Sequence, residues 1–232
     1  MNRTLSGRIV DAGVILLAVG ALGFAAVSLW KRGRPVEAAA AQLGARAAAF
    51  DALVALGTPL RAGPATDTIV VFTDFQCPYC RIIAATLDSL GTHGDMTSPA
   101  VILIHSPIES IHPLARVMAI AAECAAGRGK LRELHDALFA AQNPLHPMDS
   151  TAFGVFLARY IPGEAAGCLL SPTTKARVDA HVAAGRELGI RGTPTLLIDG
   201  HWINGSPTLS DLRGFLRKHG AQRQMRTSSI GG

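Results

Sequence analysis

Residues 68–80 read TIVVFTDFQCPYC, and this stretch decides the fold. Its first six residues are apolar or β-branched, which is typical of a buried strand. The motif CPYC occupies 77–80, and residues 82–90 predict a helix that begins at this motif. The two cysteines therefore lie where a strand gives way to a helix.

This position has a chemical consequence for the first cysteine, Cys77. A thiol at the start of a helix faces backbone N–H groups without partners and the positive end of the helix dipole. Both stabilise the thiolate, so we expect Cys77 to be a nucleophile near neutral pH. Pro78 is compatible with a first helical turn because its missing N–H would have no partner there. Tyr79 completes the dipeptide, and the spacing lets Cys80 attack Cys77 and close a disulfide.

The remaining cysteines bear on whether the motif binds zinc instead. A structural zinc site usually takes its four ligands as two close pairs. Cys124 and Cys168 lie 44 residues apart, and the chain has no second CxxC and no HxxxH. The eight histidines show no metal-ligand spacing, so we expect them to be structural or surface residues. We predict redox chemistry at Cys77 and Cys80, with no metal and no other cofactor; a zinc site and a purely structural disulfide are the alternatives.

A second motif, GTPT, occupies residues 192–195 and leads into a predicted strand at 195–198. A proline at the entrance to a central strand needs a reason, because it cannot donate a ladder hydrogen bond. A cis peptide bond beside a reactive site is such a reason. Together with CPYC, the motif predicts that Thr193 and Pro194 form the second half of the site and bind substrate.

The rest of the pattern alternates between strands and helices. It predicts a strand at 100–105, a helical block over 112–142, helices at 151–160 and 173–188, a hairpin over 195–203 and a last helix at 209–218. The fold class is therefore α/β with helices inserted in the middle.

These residues resemble a known family. The segment 71–80 (VFTDFQCPYC) is similar to the active-site segment of the DsbA-like thioredoxin-fold oxidoreductases, and 189–195 (GIRGTPT) is similar to their cis-proline loop. Residues 121–125 and 134–139 resemble parts of their helical domain. The resemblance covers about 66–219 and implies a thioredoxin fold with an inserted helical domain. Pro194 lies 114 residues after Cys80, and this spacing independently leaves room for that insertion, which a minimal thioredoxin or glutaredoxin lacks.

The resemblance also implies an activity, which is thiol–disulfide exchange on exported proteins that contain cysteines. A substrate thiolate would attack Cys77 and form a mixed disulfide, while Thr193 and Pro194 offer backbone groups to the extended substrate. A disulfide-introducing oxidase, recycled by a membrane redox partner, is the first interpretation. The alternatives are a reductase or isomerase, for example in cytochrome maturation, and a non-catalytic binding module or chaperone.

Two positions stay open at this level. Cys124 and Cys168 are either two buried thiols, a structural disulfide that closes the insertion, or a pair that relays electrons to the active site. Val71 stands where members of the family often carry an acidic residue, six positions before the first active-site cysteine. We expect proton transfer at the active site to be slower or differently tuned because of it.

A membrane anchor is predicted ahead of this domain. Residues 9–30 contain one charge in 22 positions, enough for a helix of about 33 Å that crosses a hydrocarbon core of about 30 Å. A cleaved signal peptide is the alternative, but the apolar run is long and is followed by basic residues. Those basic residues would place the body in the cytoplasm. The cysteine motif favours the periplasm or outer surface, with the anchor in the bacterial inner (cytoplasmic) membrane, and we give it more weight.

Charge and composition complete the domain assignment. The net charge of +5 comes from +4 over 1–34 and +4 over 211–232, against −3 over 35–210, so we expect no nucleic-acid partner. The predicted organisation is an anchor at 1–34, an Ala-rich helical stalk at 35–65, the thioredoxin-like domain at 66–219 with its insertion at about 111–170, and a flexible tail at 220–232.

Overall fold

The structure is a computed structural model, and it describes residues 48–64, 67–92, 98–142, 150–161, 165–198 and 200–230. These ranges belong to the second of the two compact units into which the chain divides, Ala47–Gly232. The predicted anchor at 9–30 and the first part of the predicted stalk lie outside the described residues. Among the helices that the structure describes, none combines the length and the apolar character needed to cross a membrane.

The described chain alternates between helices and strands from its start. In chain order the elements are α1 (48–56), β1 (Thr58–Arg61), β2 (Thr68–Thr73), α2 (Pro78–Thr92), β3 (Ala100–His105), α3 (Ala115–Ala126), α4 (Leu131–Ala140), α5 (Ser150–Leu157), α6 (Ala165–Leu170), α7 (Pro172–Glu187), β4 (Thr195–Ile198), β5 (His201–Asn204) and α8 (Leu209–Ile230). From β2 onward this is the order that the sequence pattern predicts, with the short α6 added.

The five strands form one mixed sheet in the order β1-β3-β2-β4-β5. Strands β2 and β3 are parallel, whereas β1, β4 and β5 each pair antiparallel with a neighbour. All residues of β2 and β3 are buried. Strands covered on both faces read as continuous apolar runs, which is how these two were recognised in the sequence. The strand that leads into CPYC is therefore the central one.

Strand β1 departs from the sequence prediction, which placed a helical stalk over 35–65 and began the domain at 66. The residues of β1 pair antiparallel with β3 at the edge of the sheet. Gly57 permits the close approach, because a Cβ there would lie 2.3 Å from Cγ2 of Ile102. Pro59 is compatible with an edge strand, where a missing N–H costs little. The turn-forming residues that suggested a linker mark a short edge strand instead.

Alternate residues of β2 face two separate cores. Ile69 and Val71 pack into the larger core, with α2, the inserted helices and α8. Val70 and Phe72 pack into the smaller core. Their partners there include residues of α1, the last part of α7, β4 and β5. Both faces of the sheet are covered, and this packing fixes the position of the carboxyl end of β2 and of the start of α2.

The inserted helices pack together, and the last helix is longer than predicted. Helices α3 to α6 fall within the predicted insertion, and α3 packs against α4, α6 and α7. Helix α8 extends to Ile230, whereas we expected a flexible tail over 220–232. Residues 221–226 (AQRQMR) are strong helix formers, which explains why the backbone stays helical past the predicted end at Lys218.

Candidate active site

The two cysteines of the CPYC motif lie at the amino-terminal end of α2. Cys77 directly precedes the helix, and the N–H groups of Cys80 and Arg81 donate to its carbonyl at 3.1 and 3.3 Å. Pro78 occupies the first helical position, as the sequence predicts, and Tyr79 is exposed. Both cysteines carry free thiols; the Cys77 residue is 5% exposed and Cys80 is fully buried.

The pKa values of the two thiols are shifted in opposite directions. A hydrogen bond from the Cys80 thiol is the main reason that the pKa of Cys77 falls to about 5; burial opposes it, and the Thr193 side chain and the backbone N–H groups of Cys80 and Tyr79 add to the lowering. Burial raises the pKa of Cys80, and the neighbouring Cys77 raises it further. Cys77 is therefore the thiolate and Cys80 the proton donor. The sequence indicated helix N–H groups as the cause, whereas the second cysteine contributes most.

The GTPT segment lies against Cys77. The Thr193–Pro194 peptide bond is cis, and the Cys77 sulfur contacts the Thr193 carbonyl oxygen at 3.3 Å. The Thr193 hydroxyl oxygen is buried and has no hydrogen-bond partner among the described residues, so it is available to the Cys77 thiolate. The Pro194 carbonyl accepts from Gly205 at 2.9 Å, which ties the loop to the end of β5. The four residues Cys77, Cys80, Thr193 and Pro194 thus form one site.

Asp74 organises the loop between β2 and α2. Its carboxylate is fully buried and accepts from the backbone N–H groups of Gln76 and Ile108 and from Nδ1 of His112, each at 2.8 Å. Its own backbone N–H points at the Cys80 sulfur, 3.4 Å away. This role was not among the predicted ones, although an Asp that accepts from the N–H two residues later is a recognisable turn signal.

An open groove of about 680 Å³ adjoins the cis-proline loop. Apolar side chains form much of its lining, among them exposed Tyr79, Ile190 and Trp202. Arg191 also lines it, and no carboxylate does among the described residues. Thr193, whose carbonyl oxygen the Cys77 sulfur contacts, is part of the groove lining.

Cys124 and Cys168 are joined by a disulfide with a sulfur–sulfur distance of 2.02 Å. It links α3 to α6, so both cysteines lie within the inserted helices. The structure therefore brings these two cysteines to each other, and it brings Cys77 and Cys80 together as a separate dithiol.

Three buried side chains form a cluster with the spacing of a metal site: His105, Glu123 and His181. Both ring nitrogens of His181 are engaged, with the His105 backbone N–H at 3.2 Å and the Leu56 carbonyl at 3.1 Å. Burial and the neighbouring His105 lower the pKa of His181 to about 4, so its ring stays neutral. These contacts already use the nitrogen lone pair that a metal would need, and they indicate a structural role.

Glu123 ties that cluster together. Its carboxylate accepts from Nε2 of His105 at 3.0 Å, from the Thr58 hydroxyl and from the Arg177 guanidinium. Burial opposes ionisation, but these partners lower the pKa of Glu123 to about 2. The ionised carboxylate therefore joins β1, β3, α3 and α7, and it explains why β1 belongs to the domain.

Comparison with known proteins agrees with this geometry. The family model described as Thioredoxin matches residues 62–218. The catalytic domain of Proteus mirabilis ScsC has a TM-score of 0.60 at 21% identity, covering 76% of this chain and 97% of that one. The thiol-disulfide exchange protein alpha-DsbA2 from Wolbachia pipientis has a TM-score of 0.59 at 17% identity, covering 77% and 97%. At these identities the likeness shows that the fold is shared.

A curated relative carries a different name. The Na(+)/H(+) antiporter NhaA 3 of Salinispora tropica is 29% identical over 240 residues, covering 97% of this chain. The chain spans about a third of the length of this and the next curated relative. The family match decides the classification: the chain belongs to the thioredoxin family, and its site places a CxxC dithiol against a cis-proline loop.

Proposed function

We propose that this protein is a disulfide-introducing oxidase that acts on exported proteins containing cysteines. The observation that carries the proposal is the contrast between the two thiols, with the pKa of Cys77 lowered to about 5 and that of Cys80 raised by burial. A stabilised Cys77 thiolate favours the reduced dithiol, and this makes the Cys77–Cys80 disulfide a stronger oxidant.

The exchange has two steps. A substrate thiolate attacks the Cys77 sulfur of the oxidised pair, the Cys77–Cys80 bond breaks, and Cys80 leaves as a thiolate that takes up a proton. A second substrate thiolate then attacks the substrate sulfur of the mixed disulfide and releases Cys77 as a thiolate. The substrate loses two electrons and gains a disulfide, while the enzyme pair gains the two electrons.

The groove supports a protein substrate rather than a small thiol. It holds an extended segment beside the cis-proline loop, where backbone groups pair with it and apolar side chains enter the groove. No transport activity is inferred from the antiporter relatives, because the chain spans about a third of their length.

The cellular setting is part of the same proposal. Residues 9–30 anchor the protein in the bacterial inner membrane with the domain on the periplasmic or outer side, and a membrane redox partner reoxidises the dithiol. The Cys124–Cys168 disulfide supports this, since disulfides persist in oxidising compartments. Labelling of intact cells with a membrane-impermeant thiol reagent tests it; protection of Cys77 until the cells are lysed contradicts it.

A measurement of reduction potential decides between oxidase and reductase. The purified protein is equilibrated with glutathione buffers, and the oxidation of a reduced, unfolded substrate is followed in parallel. A potential near that of the strong oxidant DsbA, about −120 mV, supports the oxidase. A potential near that of thioredoxin, about −270 mV, makes the protein a reductase.

A further inference from the structure

A small cavity lies beside Cys80, on the inner side of α2. Much of its lining is aliphatic, from β1, β2, β3, α2 and α4, and its titratable or charged residues are Arg61, Cys80, Asp88, Arg132 and His135. The space amounts to about 10 Å³, which is close to the least that a single water molecule needs.

Cys80 needs a proton partner during exchange. It is fully buried, and burial raises the pKa of its thiol, so a free Cys80 thiolate is unfavourable. Asp74 is the nearest carboxylate along the loop, but its oxygens already accept from Gln76, Ile108 and His112. The cavity beside Cys80 offers the proton another route.

Only one of the charged or titratable groups around the cavity suits this exchange, apart from Cys80 itself. Guanidinium groups stay protonated, which excludes Arg61 and Arg132. Asp88 is half-exposed and paired with Arg132 at 2.8 Å. A neutral imidazole has one nitrogen that donates and one that accepts a hydrogen bond, so it can receive a proton and pass one on, and this leaves His135.

His135 is held in one orientation by its neighbours. The ring Nδ1 lies 2.9 Å from Oδ1 of Asp136, and the ring packs edge-on against Phe75 and Phe139 with centroid distances of 5.9 and 5.0 Å. Burial acts against ionisation of Asp136, but hydrogen bonds from His135 and Arg132 lower its pKa below the ordinary value. An ionised Asp136 keeps the proton on Nδ1, and no described residue hydrogen-bonds to Nε2.

Arg61 supplies a second polar group for a water in the cavity. Its Nη2 is buried without a hydrogen-bond partner among the described residues, while Nε and Nη1 donate to the carbonyls of Pro99 and Leu87. Buried water needs two to four polar partners, and Arg61, His135 and Cys80, which all line the cavity, offer polar side chains for that purpose.

We propose that His135 exchanges the Cys80 proton through a water in this cavity, with Asp136 fixing the ring and leading to solvent. The proposal rests on the thiol–disulfide exchange proposed above. When Cys80 leaves as a thiolate, protonated His135 gives its Nε2 proton to the water, which passes a proton to the Cys80 sulfur. In the reverse direction, neutral His135 takes the proton as Cys80 attacks the mixed disulfide, and no electrons move through the histidine.

The test separates the two steps chemically. The reduced protein reacts with glutathione disulfide, so that Cys77 forms a mixed disulfide, and Cys80 then releases glutathione. Acid quenching and mass spectrometry follow both steps from about pH 5 to about pH 8. His135→Gln is expected to slow the release about 100-fold, while the reaction at Cys77 keeps its rate.

Two further variants make the result decisive. Asp136→Asn changes a half-exposed residue, and it is expected to slow the release by less than His135→Gln does. His181→Asn removes a buried histidine that does not line the cavity. This variant is expected to be less stable, but its glutathione release should keep the wild-type rate at each pH.

The charged groups that face His135 are Asp136 and Arg132 on α4, Asp88 on α2 and Arg61 on β1. Normal release at every pH in both His135→Gln and Asp136→Asn overturns the relay. A wild-type protein that does not react with glutathione disulfide at all overturns the proposed exchange activity instead.

Discussion

The reduction potential of the Cys77–Cys80 pair is expected to fall with pH in two linear segments. Above pH 5, reduction yields a Cys77 thiolate and a Cys80 thiol, because the pKa of Cys77 is about 5 and burial raises that of Cys80. One proton is then taken up for two electrons, and the potential falls by about 30 mV per pH unit. Below pH 5 two protons are taken up, and the slope doubles to about 60 mV.

The same pKa sets the size of the effect at pH 7. Two pH units separate the pKa of Cys77, about 5, from neutrality. Each unit changes the exchange equilibrium tenfold in favour of the reduced pair. The thiolate therefore raises the potential at pH 7 by about 60 mV over a pair whose first thiol keeps its ordinary pKa.

The assay is equilibration with glutathione buffers from about pH 4 to about pH 9, a range that brackets the pKa of Cys77 and ordinary thiols. Acid trapping and alkylation then give the reduced fraction. The matched variant is Cys80→Ala, in which the pKa of Cys77 rises because its main hydrogen bond is lost; thiolate absorbance measures that rise. A single slope of about 60 mV from the lowest pH to about pH 8 refutes the reasoning, since Cys77 is then protonated at neutrality.

Three further predictions follow from the site and its supports. Thr193→Val removes a hydroxyl available to the Cys77 thiolate. Since a hydrogen bond to a charged group contributes about 1.5–3 kcal/mol, the pKa of Cys77 should rise by about one to two units, and thiolate absorbance measures that rise. Replacing Cys124 and Cys168 together with Ala lowers the free energy of unfolding by about 2–5 kcal/mol in urea, because the disulfide closes a long loop. Glu123→Gln lowers it by about 3–5 kcal/mol, because a buried charge network loses its anion.

The last of these predictions has a pH dependence with a definite sign. The pKa of Glu123 is lowered to about 2 in the folded protein from an ordinary 4.5. Its contribution to stability is therefore complete above about pH 4.5 and is lost as the pH falls toward 2. Urea unfolding of the wild type and of Glu123→Gln should converge in that acid range; a constant difference between them contradicts the assigned role.

The local chemistry of the site could be predicted from the sequence because its parts are contiguous. The apolar run 68–73 predicts a buried strand, and CPYC follows it at a helix start, so the position of Cys77 needs no long-range information. A proline at the entrance to a central strand also predicts that GTPT lies beside the site, and the structure places Thr193 against the Cys77 sulfur. Each of these signals depends on a few neighbouring residues.

The errors arose where a residue's state depends on distant partners. Gly57 and Pro59 read as breakers, yet they belong to an edge strand because Glu123, far along the chain, binds Thr58. Likewise the sequence does not show that His135 lines the cavity beside Cys80, because the packing of α4 brings the two residues there. Pairings of this kind leave no periodic pattern in the sequence.

The amino-acid sequence by itself determined the class of fold and the two reactive sulfurs, since strand and helix periodicity and the CxxC spacing are local properties. The tertiary structure added the main cause of the difference in acidity between the two sulfurs. Burial of Cys80 on the inner side of α2 opposes its ionisation, and its thiol then stabilises the Cys77 thiolate. Acidity follows from solvent exclusion and from groups brought within hydrogen-bond distance, and both exist only once the chain has folded.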